Sequence, residues 1–280
     1  MNKQQIKIID TQFGHGKSFG TGDLQIPPKN FDWYRGNETI NNLVVFAEDT
    51  MHLVDKYTEK NKVAFLLEAP CKKQHLYNLA ADPSFYKKFK YILTYDRDLI
   101  KVNPNKIKFY PFGGCWIWDK DKKIHEKTKN VSIIASGKRD TFGQRLRHEV
   151  IRNFKKNLDG IYGRGYNPVH YKLDAFKNYR YSVIIENQSL CDMFSEKLID
   201  CFMTGTIPIY YGCNGNIGNY FNTNGIIQFT NLSEFNKLID ILTIERYVNS
   251  IDAIKENLEL AKQYTIPEDW MWDRYFKYLV

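Results

Sequence analysis

The segment Val183–Gly212 constrains the fold more than any other part of the chain. It reads V-I-I-E-N-Q-S-L-C-D-M-F-S-E-K-L-I-D-C-F-M-T-G-T-I-P-I-Y-Y-G. The apolar run 181–185 stops abruptly at Glu186-Asn187. A helix-like stretch follows, with Glu196-Lys197 in its first turns, and a second apolar run, 207–211, ends at Gly212. Strand, polar loop, helix and strand in that order make a βαβ unit, whose strands run parallel. Parallel sheets place ligands beyond the carboxyl ends of their strands and at helix N-termini. Glu186, Asn187, Glu196 and Lys197 stand at those positions.

The same alternation runs along all 280 residues. Short apolar runs predict strands at 6–9, 43–47, 63–67, 91–94, 107–110, 131–135, 160–162, 181–185, 207–210 and 226–229. Amphipathic runs predict helices at 51–57, 72–80, 142–156, 193–204, 232–242 and 251–264. This pattern predicts an α/β protein with parallel sheets, and the length suits two of them. The charged, apolar-poor run Trp118–Asn130 marks the break between them. The expected division is an N-terminal lobe over 1–125, a second lobe over 126–265, and a terminal helix over 266–280 that packs back on the lobes. Pro267 opens that helix, and its aromatic residues (Trp270, Trp272, Tyr275, Phe276, Tyr278) read as core packing.

Composition narrows the function. Hydrophobic content of 43% suits a globular chain. No apolar run approaches the roughly 20 residues of a membrane span. The stretch Met1–Asp10 lacks the apolar block of a signal peptide, so the expectation is a cytoplasmic protein. Five cysteines without a C-x-x-C and six scattered histidines argue for reduced thiols and against a metal site. A net charge of +8 suits phosphate-bearing ligands, but Lys and Arg are spread along the chain, which disfavours a nucleic-acid surface.

Three further places carry chemistry. Gly16-Lys17-Ser18 invites a phosphate-loop reading, but Thr11 stands where that motif needs glycine and Pro27-Pro28 interrupts the helix it needs; a loop at the rim of a cleft is the better reading. Glu68 ends the run V-A-F-L-L before Ala69-Pro70, where a carboxylate serves either as a general base or as a helix-start charge. Ser136-Gly137-Lys138-Arg139 follows the strand V-S-I-I-A, with Arg145 and Arg147 in the first turns of the next helix. That arrangement suits a phosphate held by backbone N–H groups and guanidinium, or simply a solvated helix face. Glu196 and Lys197 are adjacent, so they do not face each other across a helix turn and are expected to make different contacts.

These residues carry a family resemblance. I-E-N-Q-S-L-C-D-M-F-S-E-K-L followed by G-T-I-P-I resembles the signature of the α1,3/α1,4-fucosyltransferases, glycosyltransferase family ten. F-L-L-E-A-P (Phe65–Pro70), L-T-Y-D-R-D (Leu93–Asp98), Y-P-F-G (Tyr110–Gly113), the strand ending at Ala135-Ser136 and I-Y-G-R-G (Ile161–Gly165) resemble further elements of that family, in the family's order. The matches run from about residue 60 to residue 215. The family's tyrosine before its T-E-K is missing here, replaced by Met193 with Phe194 beside it.

The resemblance implies a GT-B enzyme: two Rossmann-like lobes with a cleft between them, inverting the anomeric centre of a sugar taken from a GDP-sugar, GDP-fucose first, and needing no other cofactor. Glu68 would deprotonate the acceptor hydroxyl. Arg145 would meet the diphosphate, with Arg139 or Arg147 as alternatives in a neighbouring register. Lys197 would neutralise the diphosphate, Glu196 would bind the ribose or sugar, and Asn187 would lie beside the nucleotide, with Ser136 and Glu186 at the same site. No D-x-D dyad stands where a metal–diphosphate site is expected, so catalysis without a metal follows. The expected partners are a nucleotide sugar and a glycan acceptor. A transferase of the same fold acting on nucleic acid or protein, and a non-catalytic nucleotide- or glycan-binding module, are the alternatives.

Overall fold

The computed structural model describes residues 3–280 apart from 12, 14 and 15. The chain forms two compact units, Met1–Gly114 with Ile266–Val280, and Cys115–Thr265.

The first unit holds a six-stranded parallel sheet in the order β2-β1-β3-β4-β5-β6. Its strands are β1 (Gln4–Ile9), β2 (Phe31–Tyr34), β3 (Leu43–Ala47), β4 (Asn61–Phe65), β5 (Tyr91–Thr94) and β6 (Ile107–Phe109). Helices α1 (Pro70–Ala81), α2 (Pro83–Tyr86) and α3 (Arg97–Val102) connect the later strands. β3 is buried along its whole length, as expected for a strand covered on both faces. Val44, Phe46, Ala64 and Ile92 pack there against Leu76, Ala80 and Phe89.

The second unit holds a five-stranded parallel sheet in the order β11-β10-β9-β7-β8. These strands are β7 (Lys129–Ile134), β8 (Gly160–Tyr162), β9 (Tyr179–Ile185), β10 (Ile207–Tyr211) and β11 (Ile227–Gln228). Helices α4 (Phe142–Phe154) and α5 (Glu196–Met203) link β7 to β8 and β9 to β10; α6 (Leu232–Leu238), α7 (Ile244–Asn249) and α8 (Ile251–Ala261) follow. Val131, Ile133, Val183, Ile185 and Ile209 form a core with Leu146 and Val150 of α4. Val183 pairs with Ile209 and Ile185 with Tyr211, so the expected βαβ unit is present.

Each sheet reverses its strand order once. The chain passes from β1 to β2 on one side and then to β3 on the other. It likewise passes from β7 to β8 and then to β9 on the opposite side. Such switch points open a crevice beyond the carboxyl ends of the two strands. The relevant ends are Ile9 and Ala47 in the first sheet, and Ile134 and Ile185 in the second.

Local differences from expectation have physical causes. β2 was not expected, because F-D-W-Y is short and follows Pro27-Pro28; parallel pairing of Phe31–Tyr34 with Gln4–Lys7 makes it a strand. The helix expected at 51–57 is a 3-10 run, Glu48–Lys56. The helix expected from Met193 begins at Glu196, because Ser195 is extended and its hydroxyl accepts from the Lys197 N–H. The units part after Gly114 rather than at 125/126: the Trp116 N–H donates to Asp200 Oδ1 at 2.6 Å, tying this stretch to the second unit.

The terminal helix α9 (Pro267–Arg274) belongs to the first unit. Trp272 stacks on Phe31 with centroids 5.7 Å apart, and the Tyr275 hydroxyl donates to Phe109 O at 2.7 Å. Trp270 and Phe276 are buried, whereas Tyr278 is exposed. Residues 14 and 15 of the stretch Phe13–Gly22, which carries the expected rim loop, lie outside the described residues; its Phe19 stacks on Phe65 at 4.9 Å. All five cysteines are free thiols. Among the described residues no helix is long and apolar enough to cross a membrane.

Candidate functional site

The second sheet's switch point carries a cavity of about 170 Å³. Its walls include Ile134 and Ser136 from the end of β7, Arg147 from α4, Ile185 from the end of β9, and Glu196 and Lys197 from the first turn of α5; Lys172 completes the polar lining. The end of β7, α4, the first turn of α5 and Lys172 thus supply the polar side chains, beside two strand ends and a helix N-terminus, a setting that suits a phosphate-bearing ligand.

The loop after β7 is fixed by the start of α4. Thr141 and Gln144 form a capping box, each side chain bonding the other's backbone N–H. Gly143 lets the helix approach the end of β9: a Cβ there would lie 1.7 Å from Glu186 O. The Gly143 N–H donates to Asn187 O at 3.2 Å, closing the contact.

Arg147 is buried. Its Nε donates to Ile185 O at 2.9 Å, Nη2 bonds the same oxygen, and Nη2 also reaches Asn187 Oδ1 at 3.3 Å. Nη1 has no hydrogen-bond partner among the described residues. Burial pulls the guanidinium pKa down, against the opposing pull of Glu186 and Glu196.

Lys197 sits on a built base. Glu186 is buried at the end of β9 and accepts from the Ser195 N–H at 2.9 Å and the Ser195 hydroxyl at 2.8 Å. Lys197 Nζ donates to Ser195 Oγ at 3.0 Å and lies 3.7 Å from Glu186 Oε2. It also lies 3.1 Å from Glu196 Oε1, so the two adjacent side chains do meet, against expectation. Long side chains in a helix's first turn can fold back toward each other, which the periodicity argument overlooks.

Glu196 is held between two cations. Lys172 Nζ approaches Glu196 Oε1 at 3.2 Å and Asp200 Oδ2 at 3.0 Å, and stands 3.9 Å over the Trp116 ring. Burial disfavours the Glu196 carboxylate, but Lys172 and Lys197 outweigh that and hold its pKa well below the usual range. For Asp200 burial wins, and its pKa is raised. Lys172 is disfavoured by burial, yet Asp200 and Glu196 raise it overall. Lys172 thus anchors two acids, and the Lys197 side chain, 31% exposed, is the more available cation.

Of the residues singled out from sequence, Ser136, Glu196 and Lys197 line one cavity, Asn187 touches it through Arg147, and Glu186 lies beneath Lys197. Arg139 and Arg145 do not line it. Both are exposed, and Arg145 Nη1 donates to the carbonyls of Arg139 and Asp140 at 3.2 and 3.1 Å. Among the three candidate arginines the cavity therefore takes Arg147. Lys172 and Asp200 were not anticipated. Phe194, at the departure from the family's tyrosine, is buried among Tyr220, Phe221 and Tyr264 and so belongs to the core.

Glu68 belongs to the first unit, three residues past β4. Its side chain is 40% exposed and pairs with Lys72 Nζ at 3.2 Å, one turn on in α1. The helix-start and cleft-facing roles are thus both open to it.

No protein-family profile and no curated protein matches the sequence. Solved structures do match the fold. An α1,3-fucosyltransferase with GDP aligns at 14% identity and TM-score 0.55, over 95% of this chain and 92% of that one. A sucrose-phosphate synthase from Thermosynechococcus elongatus aligns at 10% identity and TM-score 0.60, over 99% of both chains. A glycosyltransferase from Rickettsia africae aligns at 10% identity and TM-score 0.56, over 98% and 97%. Two parallel α/β units, with sheets of six and five strands, give this chain the fold of the GT-B glycosyltransferases.

Proposed function

We propose that the chain is an inverting glycosyltransferase that moves fucose, or a related sugar, from a GDP-sugar to a hydroxyl of a glycan acceptor. The observation that carries this reading is the convergence of Ser136, Arg147, Glu196 and Lys197 on one cavity at the second sheet's switch point. The likeness of the fold to an α1,3-fucosyltransferase with GDP and to other glycosyltransferases supports it, as do the sequence motifs.

In this reading the acceptor oxygen attacks the anomeric carbon while Glu68 takes the hydroxyl proton. The bond from that carbon to the diphosphate oxygen breaks, and negative charge builds on the leaving group. Lys197 and the remaining guanidinium face of Arg147 stabilise that charge, so no metal is required of the site. Glu196, fixed as a carboxylate, accepts from hydroxyls of the ribose or sugar. Asn187 lies beside the nucleotide. Glu186 acts from below, seating Ser195 and through it Lys197. The single displacement inverts the anomeric centre.

A thermal-shift panel of nucleotides and nucleotide sugars tests the reading. A GDP-sugar present at 100 times its Kd should stabilise the protein by about 2.7 kcal/mol, and ADP- and UDP-sugars should not. Stabilisation by uridine or adenine nucleotides alone would overturn the guanine assignment. No stabilisation by any of them would overturn the donor site.

A further inference from the structure

Glu48 follows β3 at the switch point of the first sheet and has φ of 43°, a left-handed conformation uncommon outside glycine. Its side chain is buried, the residue being 1% exposed. Oε1 accepts two backbone N–H groups, from Leu67 at 2.7 Å and from Glu68 at 2.5 Å. The carbonyls of the same two residues are also held: Tyr95 Oη donates to Leu67 O at 3.3 Å and Tyr77 Oη to Glu68 O at 2.9 Å. Every backbone polar group of the Leu67-Glu68 dipeptide is thus bonded by one of three largely buried side chains: Glu48 just after β3, Tyr77 of α1 and Tyr95 just after β5. This clamp fixes the backbone from which the Glu68 carboxylate projects.

We propose that Glu48 is the positioning residue for Glu68, a buried acceptor that locks the backbone carrying the general base. This rests on the reading of Glu68 as that base. The charged groups facing Glu48 are Glu68 and Lys73, the latter paired with Asp49 at 2.6 Å. Burial, the largest influence, pushes the Glu48 carboxyl up, and its Oε2 is buried with no partner among the described residues.

The test compares Glu48→Ala, Glu48→Gln and Tyr77→Phe in two measurements. Amide hydrogen exchange at Leu67 and Glu68 reads the clamp without substrate. Exchange should quicken about tenfold in Glu48→Ala and return towards wild type in Glu48→Gln, whose amide oxygen accepts both N–H groups. Hydrolysis of GDP-fucose, with water in the acceptor's place, reads the catalytic consequence. In Glu48→Ala, kcat should fall about a hundredfold with GDP affinity unchanged, and Glu48→Gln should recover most of it. Tyr77→Phe should lose kcat in the same direction but less, and it keeps the test available if Glu48→Ala does not fold. Unchanged exchange in Glu48→Ala, or a Glu48→Gln as impaired as Glu48→Ala, overturns the proposal. A Glu68→Gln control separates the two readings. Near-normal turnover in Glu68→Gln removes the base itself, whereas an inactive Glu68→Gln beside a fully active Tyr77→Phe and Glu48→Ala removes only the clamp.

Discussion

Arg145 and Arg147 stand two positions apart on α4, about 200° around the helix. One therefore faces solvent while the other is buried against Ile185 O. The sequence offered both as diphosphate ligands, and nothing in the local pattern separates them; the burial of Leu146 and Val150 orients the helix and decides it. Arg147→Lys should weaken GDP binding about tenfold or more, because an ammonium cannot span Ile185 O, Asn187 Oδ1 and a phosphate together. Arg145→Ala should leave GDP affinity within about threefold, since it loses only solvent-exposed contacts. Isothermal titration of the two variants checks both values. Glu68→Gln should keep GDP-sugar binding intact and lose two to four orders of magnitude, roughly, in turnover, read in a nucleotide-release assay. Lys172 marks the limit of sequence reading at this scale. It lies 24 positions before Glu196, at the start of the short 3-10 run Lys172–Ala175, and only the folded chain brings its Nζ within 3.2 Å. Asp200 was hidden for a different reason: inside an amphipathic helix a lone acid reads as a surface residue.

At the scale of elements, the βαβ unit around Val183–Gly212 was legible because two periods change in quick succession within one segment. Short apolar strands give way to an amphipathic helix whose start is marked by Ser195 and Glu196. β2 and the 3-10 run Glu48–Lys56 were not legible. The first depends on pairing with β1, and the second places a strained, buried glutamate where A-E-D-T reads as a helix start. The junction of α4 with the end of β9 also escaped notice, although Gly143 signals it. Gly143→Ala would force a Cβ into Glu186 O, so α4 must shift away from the cavity. The expected loss is about 1–3 kcal/mol in chemical denaturation, together with weakened GDP binding. A Gly143→Ala protein of wild-type stability and affinity would show that this approach is not needed.

At the scale of the whole molecule, the two-sheet α/β plan was legible from alternation alone, because parallel strands and their covering helices leave different apolar periods. The assignment of Ile266–Val280 to the first unit was not, since distant packing against Phe31 and Phe109 determines it. That packing creates a pH dependence. Glu268 of α9 is buried, its Oε1 accepting the Phe19 N–H at 2.7 Å, and burial raises its pKa from 4.5 to about 7. Between those values the folded state binds more protons than the unfolded state. Stability from this group is therefore full below pH 4.5 and lost as pH rises through about 7, by at most about 3 kcal/mol. Glu268→Gln should flatten that fall in denaturation midpoints measured across the window; an unchanged slope would assign the dependence elsewhere.

In the proposed function the cavity at the second sheet's switch point holds the diphosphate of a guanine nucleotide, with Lys197 as its available cation. Titration of GDP into the wild type and into Lys197→Ala tests that role. Loss of one charge-assisted phosphate contact should weaken binding by about one to two orders of magnitude, in a variant whose circular dichroism and melting are otherwise retained. Equal GDP affinity in the two proteins, or no GDP binding by the wild type, would rule that role out.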